Sequence, residues 1–207
     1  MFFVTRHFSM KSISRNSRRD QTRLRILHKA DELFHRFGFY KTTVADIARE
    51  LEMSPANIYK FFSSKEALVQ AVAEWNLSLF KATIGEALQK GTTLSAKLKV
   101  LATTIYQFHK NKFRSDHEMY RLMVAAHDEQ WLCVVEFKAF LRRTLSEILE
   151  EGLDAEEFSH LEVSIEAEVL LDSLTWIINP LLMFELKNAQ VMKRIDAQIR
   201  FFLRALT

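Results

Sequence analysis

Four residues at positions 56 to 60 have side chains suited to recognising nucleic acid. The amide of Asn57 can pair with an adenine edge, and Asn57 and Lys60 are the candidates for reading bases. Tyr59 can donate its hydroxyl to a phosphate oxygen, while the small Ala56 permits close approach to a groove. This combination of side chains predicts contact with double-stranded DNA.

Two further residues flank this run and are suited to contacting phosphate. Thr43 carries a hydroxyl, and Lys65 carries an ammonium group. Lys65 also stands at the predicted start of a helix, after Ser63 and Ser64, where free backbone N–H groups favour an anion. We therefore assign Thr43, Tyr59 and Lys65 to phosphates.

Two short helices joined by a tight turn must position these side chains. Thr43 is a good N-cap, and Asp46 three residues later can complete a capping box. The first helix is predicted over residues 44–51. One stripe of it is apolar, at positions spaced i, i+3, i+4 and i+7: Val44, Ile47, Ala48 and Leu51.

The second helix is predicted to begin only a few residues later. Ser54 supplies a capping hydroxyl, and Pro55 occupies the first helical position, where its missing N–H costs nothing. Glu52 and Met53 must then form a sharp turn. The arrangement predicts a helix-turn-helix whose second helix, over residues 55–61, buries Ile58 and exposes the polar run.

The spacing of these residues resembles the DNA-binding domain of the tetracycline-repressor (TetR) family of regulators. The resemblance extends from about Arg23 to Trp75, with two departures: Ala56 stands where many members have glycine, and Phe61 where a histidine or tyrosine is frequent. The residues that carry the resemblance are Ala30, Leu33, Phe34, Gly38, Phe39, Thr42, Thr43, Val44, Ile47, Ala48, Ser54, Pro55, Ala56, Asn57, Ile58, Tyr59, Phe62, Ser64, Lys65, Glu66, Ala67 and Leu68.

Composition favours an all-α fold. The 207 residues include only 4 glycines and 2 prolines against 48% hydrophobic residues, whereas sheet proteins need more turn residues. We predict about nine helices: a three-helix domain over residues 21–75, then a helical bundle over residues 76–207. One helix over residues 65–91 should cross between the two. The remaining predicted helices cover residues 22–37, 93–111, 115–128, 130–151, 161–184 with a kink or end near Pro180, and 189–205.

Positive charge is concentrated at the N-terminal end. Residues 1–65 hold 13 Lys and Arg against 6 Asp and Glu, a net charge of +7, and residues 66–207 hold 16 against 20, a net charge of −4. This asymmetry is the expected electrostatic footprint of a DNA-binding domain, although a solvated basic tail gives the same pattern. Residues 1–20 show no helical period, so we predict a disordered basic arm there; a plain disordered leader is the alternative.

Catalytic and metal-binding motifs do not occur in the sequence. It contains no glycine-rich phosphate loop, no Gly-x-Ser-x-Gly and no His-Glu-x-x-His, so we expect neither an enzyme nor a cofactor. No metal is expected, because no metal motif matches the spacing of His109, Asp116, His117, His127, Asp128 and Cys133. A single cysteine and the lack of a run of about 20 apolar residues favour a cytoplasmic protein without a membrane span.

The last two predicted helices are apolar on more than one side. Such helices must be buried, and a second copy of the chain could bury them. The resemblance implies the same homodimer, because family members pair through their C-terminal helices. A larger intramolecular core is the alternative. The candidate dimerisation residues are Leu170, Leu174, Ile178, Ile195, Ile199 and Phe202.

The second domain carries aromatic and methionine side chains on four predicted helices. Such residues can line a cavity, although their helical spacing also fits a plain core. The resemblance implies a ligand cavity between the middle helices, and no acid or base stands out. We therefore expect a largely apolar or aromatic effector. The candidate lining residues are Phe108, Met119, Met123, Trp131, Phe137 and Trp176.

These observations favour a ligand-responsive transcriptional repressor that binds an inverted-repeat operator as a homodimer. Two other classes remain open. A ligand-independent DNA-binding or architectural protein would lack a cavity in the second domain. A helical enzyme or carrier with a vestigial N-terminal domain would bind no DNA.

Overall fold

A computed structural model describes residues 17–113, 117–158, 160–179, 182 and 188–206 of the chain. Every regular element within these ranges is a helix, which confirms the all-α prediction. Ten helices are described, against the nine expected. They are α1 (Ser17–Phe37), α2 (Val44–Glu50), α3 (Pro55–Tyr59), α4 (Lys65–Leu88), α5 (Leu94–Phe113), α6 (His117–Asp128), α7 (Leu132–Asp154), α8 (Val163–Ser173), α9 (Thr175–Ile178) and α10 (Asn188–Leu206).

The first helix begins earlier than the sequence indicated. Residues 17–20, which we assigned to the arm, form the first turn of α1, and Asp20 places a negative charge near that helix N-terminus. The rest of the predicted arm, residues 1–16, lies outside the described residues. At its other end α1 stops at Gly38, whose φ of 85° is accessible to glycine without steric cost and whose N–H donates to the Phe34 carbonyl at 2.9 Å.

Two hydrophobic cores organise the chain. The first core contains side chains of α1, α2 and α3 and of the N-terminal half of α4. The second core contains side chains of the C-terminal half of α4 and of helices α5, α7, α8, α9 and α10. Leu68 and Val72 of α4 are fully buried in the first core, whereas Phe80 and Ile84 are buried in the second. The helix is unbroken through residue 75, where we predicted the domain division.

Helix α7 and the segment after it differ from the sequence interpretation. The helix predicted over residues 130–151 continues through Gly152 to Asp154. A Cβ at Gly152 would lie 2.9 Å from the ring of Phe158, so close packing, not helix termination, requires glycine here. The single helix predicted over residues 161–184 is broken at Leu174 into α8 and α9.

The end of α9 agrees with the expected effect of a proline. The helix stops at Ile178, and Asn179 is extended at φ −88° and ψ 112°, which is the conformation favoured by a residue that precedes proline. Pro180 itself lies outside the described residues. In the described part of the chain, none of the helices combines the length and the apolarity that crossing a bilayer requires.

Most of the side chains that we assigned to dimerisation are already buried within the single chain. Five of the six candidates are buried in the second core of the single chain, exposing 9% or less, and Ile178 is half-buried. Helix α10 packs on α5, and α8 packs on α7. The buried five are Leu170, Leu174, Ile195, Ile199 and Phe202.

The predicted capping box at the start of α2 is confirmed. The Asp46 N–H donates to Thr43 Oγ1 at 3.1 Å, and the Thr43 N–H donates to Asp46 Oδ2 at 3.0 Å. The Thr43 hydroxyl also donates to Asp46 Oδ2 at 2.7 Å. These hydrogen bonds from Thr43, together with the Arg49 guanidinium, hold the pKa of Asp46 below its ordinary value of 3.8.

We expect Thr43→Ala to lower the free energy of unfolding by about 1 kcal/mol, because it removes this cap. The exposed Thr92, which caps no helix, provides the control Thr92→Ala.

The depressed pKa of the Asp46 carboxyl stabilises the fold above pH 3.8, and this contribution is lost as pH falls below it. The stability difference between wild type and Asp46→Asn, measured by urea unfolding, should therefore shrink between about pH 6 and pH 3; a constant difference would contradict this origin.

Candidate nucleic-acid interface

The turn between α2 and α3 is closed by backbone hydrogen bonds. The Met53 N–H donates to the Ala48 carbonyl at 2.8 Å, and Glu52 adopts a positive φ of 55°. A non-glycine residue in this region is uncommon, so the geometry is held by the surrounding structure. The result is the sharp corner that the sequence predicted, with α3 beginning at Pro55 directly after the cap Ser54.

Helix α3 is short and is held by one buried side chain. Ser54 Oγ accepts a hydrogen bond from the Asn57 N–H at 3.2 Å. Ile58, 1% exposed, inserts into the first core, while Ala56 and Lys60 are exposed and Tyr59 is 49% exposed. The face opposite Ile58 is therefore presented to solvent, where a DNA groove could receive it.

The two predicted phosphate-contacting residues outside α3 differ in how their donor groups are already hydrogen-bonded. Lys65 is half-buried, and its Nζ donates to the Tyr40 carbonyl at 3.0 Å, which fixes the ammonium next to the loop before α2. Thr43 uses both of its donors, the hydroxyl and the N–H, within the capping box. A phosphate contact from Thr43 must therefore compete with its cap.

The structure adds two arginines that sequence reasoning did not select. The guanidinium carbon of Arg19 lies 5.9 Å from the ring centroid of Phe61, and that of Arg23 lies 5.2 Å from the ring centroid of Phe62. Both arginines are exposed on α1 and lie four residues apart, so they share one face. That spacing was visible in the sequence, but Arg19 had been assigned to the arm. It follows that α1 extends the positive surface beside the end of α3.

The predicted effector-binding residues do not converge in the described structure. The Phe108 ring stacks on Phe80 with centroids 3.7 Å apart, and Phe137 lies 5.2 Å from Phe80, so these rings form a packed cluster. Trp176 is buried and donates to Gln198 Oε1 at 2.8 Å, whereas Trp131 packs against the first core. The side chains of Met119 and Met123 lie outside the described residues.

The histidine considered as a metal ligand in the second domain belongs to this aromatic cluster. His109 is 3% exposed and contacts Phe80 and Phe108 edge-on. Burial lowers its pKa to about 4, so the imidazole is neutral at pH 7. Among the described residues, no three His, Cys, Asp or Glu side chains are gathered in a way that could hold a metal ion.

Two protein-family models match the chain. Residues 26–72 match the bacterial regulatory proteins of the tetR family, and residues 95–198 match the tetracyclin repressor-like C-terminal domain. The second match alone covers half of the chain. The first contains the capping box, the turn, α3 and the start of α4, which are the elements of the candidate interface.

Among curated proteins, the HTH-type transcriptional regulator UidR of Escherichia coli K12 is 43% identical over 51 residues, which is 25% of this chain and 26% of that protein. UidR of Shigella flexneri gives the same values. The chain thus matches about a quarter of the length of these relatives.

Solved structures match over nearly the whole chain. A TetR-family regulator from Pectobacterium atrosepticum has a TM-score of 0.69 at 14% identity, covering 94% of this chain and 97% of that one. FadR of Bacillus subtilis, solved with stearoyl-CoA, has a TM-score of 0.63 at 15% identity, covering 89% and 99%. At such identities the likeness shows the fold. Together with the two family models, it establishes that the chain belongs to the TetR family of bacterial regulatory proteins.

Proposed function

We propose that this TetR-family chain is a ligand-responsive transcriptional repressor that binds an inverted-repeat operator as a homodimer. The observation that carries DNA binding is the orientation of α3. Ile58 anchors the helix in the first core, so the opposite face, with Tyr59 and Lys60, is directed to solvent. Arg19 and Arg23 add positive charge beside it.

Contacts at this interface divide into two kinds. Asn57 of α3 and Lys60, the C-cap residue directly after it, are proposed to read base edges in the major groove. Tyr59, Lys65 and Thr43 are proposed to contact phosphates, which position the helix but carry no sequence information. Lys65 is best prepared for this role, because the Tyr40 carbonyl already orients its ammonium.

The operator should be found first by sequencing DNA fragments selected by the full-length protein. On that operator, Lys65→Ala should weaken binding to a similar extent on specific and random DNA, and lower the slope of log K against log salt by about 1 per half-site. Asn57→Ala should cost roughly 1–3 kcal/mol on the operator and less on random DNA. Fluorescence anisotropy at several salt concentrations measures both. An equal loss on all sequences for Asn57→Ala and Lys60→Ala would show that these residues read no bases.

A homodimer is proposed from apolar side chains that the single chain leaves exposed. Ile165 and Val169 lie four residues apart on α8 and are 50% and 51% exposed, and Phe201 on α10 is 77% exposed. These side chains, not the buried set predicted from the sequence, are available to a partner. An inverted-repeat operator would mirror the two-fold axis of such a dimer.

Light scattering of the wild type at micromolar concentration should give about 49 kDa, twice the 24.3 kDa of one chain. Val169→Glu and Phe201→Glu should shift the mass towards that of a monomer and weaken operator binding together, because a buried unpaired carboxylate opposes association. Leu79→Glu replaces a side chain that is 50% exposed on α4 and serves as the control. A wild-type monomer, or mutants that remain dimeric, would contradict the proposed surface.

The effector is proposed to be largely apolar or aromatic and to bind within the second domain. The stearoyl-CoA in the similar FadR structure supports an apolar ligand for a protein of this fold. Of the predicted lining residues, Phe108 is the best supported, because it is half-buried and packs against both cores. A ligand that displaced its ring from Phe80 would disturb both cores together.

Linkage provides the test of this effector. If a ligand lowers operator affinity about a hundredfold, the coupling is roughly 2.7 kcal/mol, and operator DNA must weaken ligand binding by the same factor. Stearoyl-CoA and, separately, small aromatic acids can be titrated calorimetrically with and without the selected operator. A ligand that binds equally well in both titrations is not the effector. Phe108→Leu should change ligand affinity more than it changes operator affinity.

A further inference from the structure

A rigid corner between α6 and α7 presents an aromatic ring towards the N-terminal domain. Trp131 precedes α7 and is half-buried; its N–H donates to the Ala126 carbonyl at 2.9 Å and its indole Nε1–H donates to Glu129 Oε2 at 2.8 Å. Gln130, which lies between Glu129 and Trp131, adopts a positive φ of 49°. The backbone and the indole are thus both fixed, so the orientation of this ring is set before any ligand arrives.

A cavity of about 230 Å³ lies between this corner and the N-terminal domain. Trp131 forms one wall, and Phe39 and Tyr40, from the loop between α1 and α2, form another. The rings of Phe39 and Tyr40 have centroids 3.8 Å apart. The aliphatic side chains of Val69 on α4 and Leu122 on α6 complete the lining. The cavity therefore combines three aromatic side chains with an apolar base, and it is too small for a drug-sized ligand.

The charged groups of the cavity favour a cation. Glu66 and Glu129 line it, and both are exposed. Hydrogen bonds from the Glu66 backbone N–H and from Ser64 hold the pKa of Glu66 below its ordinary value of 4.5, so its carboxylate is charged at neutral pH. A positively charged side chain, Lys65, also lines the cavity, and its ammonium group donates a hydrogen bond to the Tyr40 carbonyl.

Trp131 also borders a second, negatively charged hollow. A second hollow, of about 200 Å³, shares Trp131 as a wall and is lined by Glu74 and Glu136 beside Cys133. Burial raises the pKa of the Cys133 thiol, and these two carboxylates raise it further. Glu74 and Glu136 therefore add negative charge near Trp131.

We propose that the cavity between Trp131, Phe39 and Tyr40 is a binding site for a small organic cation, namely an ammonium group carried on a single aromatic ring or on a few methyl groups. Aromatic faces attract such cations through their quadrupoles, and nearby carboxylates add a charge contribution. The ammonium would lie against the indole within reach of Glu66 and Glu129, and the apolar part would lie on Val69 and Leu122. Trp131 was also a candidate for lining the effector site, but Phe108, Phe137 and Trp176 do not line this cavity.

The position of the cavity gives such a ligand a structural role. Its walls come from the loop before α2 and the start of α4 on one side, and from α6 and the α6–α7 corner on the other. A cation bound there contacts both domains and opposes their relative movement. Binding itself depends only on these walls and can be measured without DNA.

Isothermal titration of the full-length protein with benzyltrimethylammonium chloride tests the proposal. We expect one site per chain, with affinity that falls as sodium chloride is raised. Trp131→Leu should weaken binding roughly three- to thirtyfold, because it removes the ring but keeps an apolar side chain. Trp131→Phe should retain most of the affinity. Glu129→Gln, which keeps an acceptor for the indole N–H, should weaken binding about two- to fivefold.

Matched controls separate this site from other apolar binding. Glu150→Gln removes the same charge from an exposed position of α7 that does not line the cavity, and it should leave affinity unchanged. Benzyl alcohol, a neutral probe with the same ring, should bind more weakly than the cation and without salt dependence. The proposal is overturned if benzyltrimethylammonium fails to bind at millimolar concentration. It is also overturned if the neutral probe binds as well, or if neither Trp131→Leu nor Glu129→Gln changes the affinity.

Discussion

The fold depends on one continuous helix that is packed into two hydrophobic cores. Helix α4 contributes Leu68 and Val72 to the core of the N-terminal domain, and Phe80 and Ile84 to the core of the C-terminal domain. Over 24 residues it spans about 36 Å at 1.5 Å per residue. No flexible linker separates the two cores along this helix, so a displacement of its C-terminal half must be carried to Lys65 or absorbed by bending.

Other contacts make the two domains mechanically interdependent. Leu122 of α6 is buried in the first core, and the ring of Phe108 packs against both cores. Asn76 of α4 donates to Asp31 of α1 at 2.7 Å, which holds the two long helices together near the junction. These contacts join the second domain to the helix-turn-helix domain at the junction between them.

Helix α3 forms only because of its tertiary context. Five residues are far too few for a stable isolated helix, so α3 exists because Ser54 caps it, Pro55 is preorganised for it, and Ile58 is buried beneath it. The same constraint decides function, because a helix held on one side by a single apolar residue has its other side free for DNA. The arginines of α1 lie beside that free side only because α1 packs across the unit.

The sequence alone determined the features that rest on local interactions. The Thr43–Asp46 cap, the start of α3 at Ser54–Pro55 and the start of α4 after Ser64 are all set by residues within a few positions, and all appear in the structure. The family resemblance followed from the same spacings. Helical period also located most of the later helices, although α7 runs past its predicted end at residue 151, and the role of Gly152 depends on Phe158 packing against it.

Tertiary structure alone decided which apolar faces are covered and by what. The helical spacing of the apolar residues shows that Leu174 and Phe202 must be buried. That spacing is the same whether α5 and α7 or a partner subunit covers them. For the same reason the sequence placed Phe108, Phe137 and Trp131 in one cavity, whereas the fold divides them between two cores. The meeting of Trp131 with Phe39 and Tyr40 joins residues about ninety positions apart, and only the packing of α6 against the N-terminal domain brings them together.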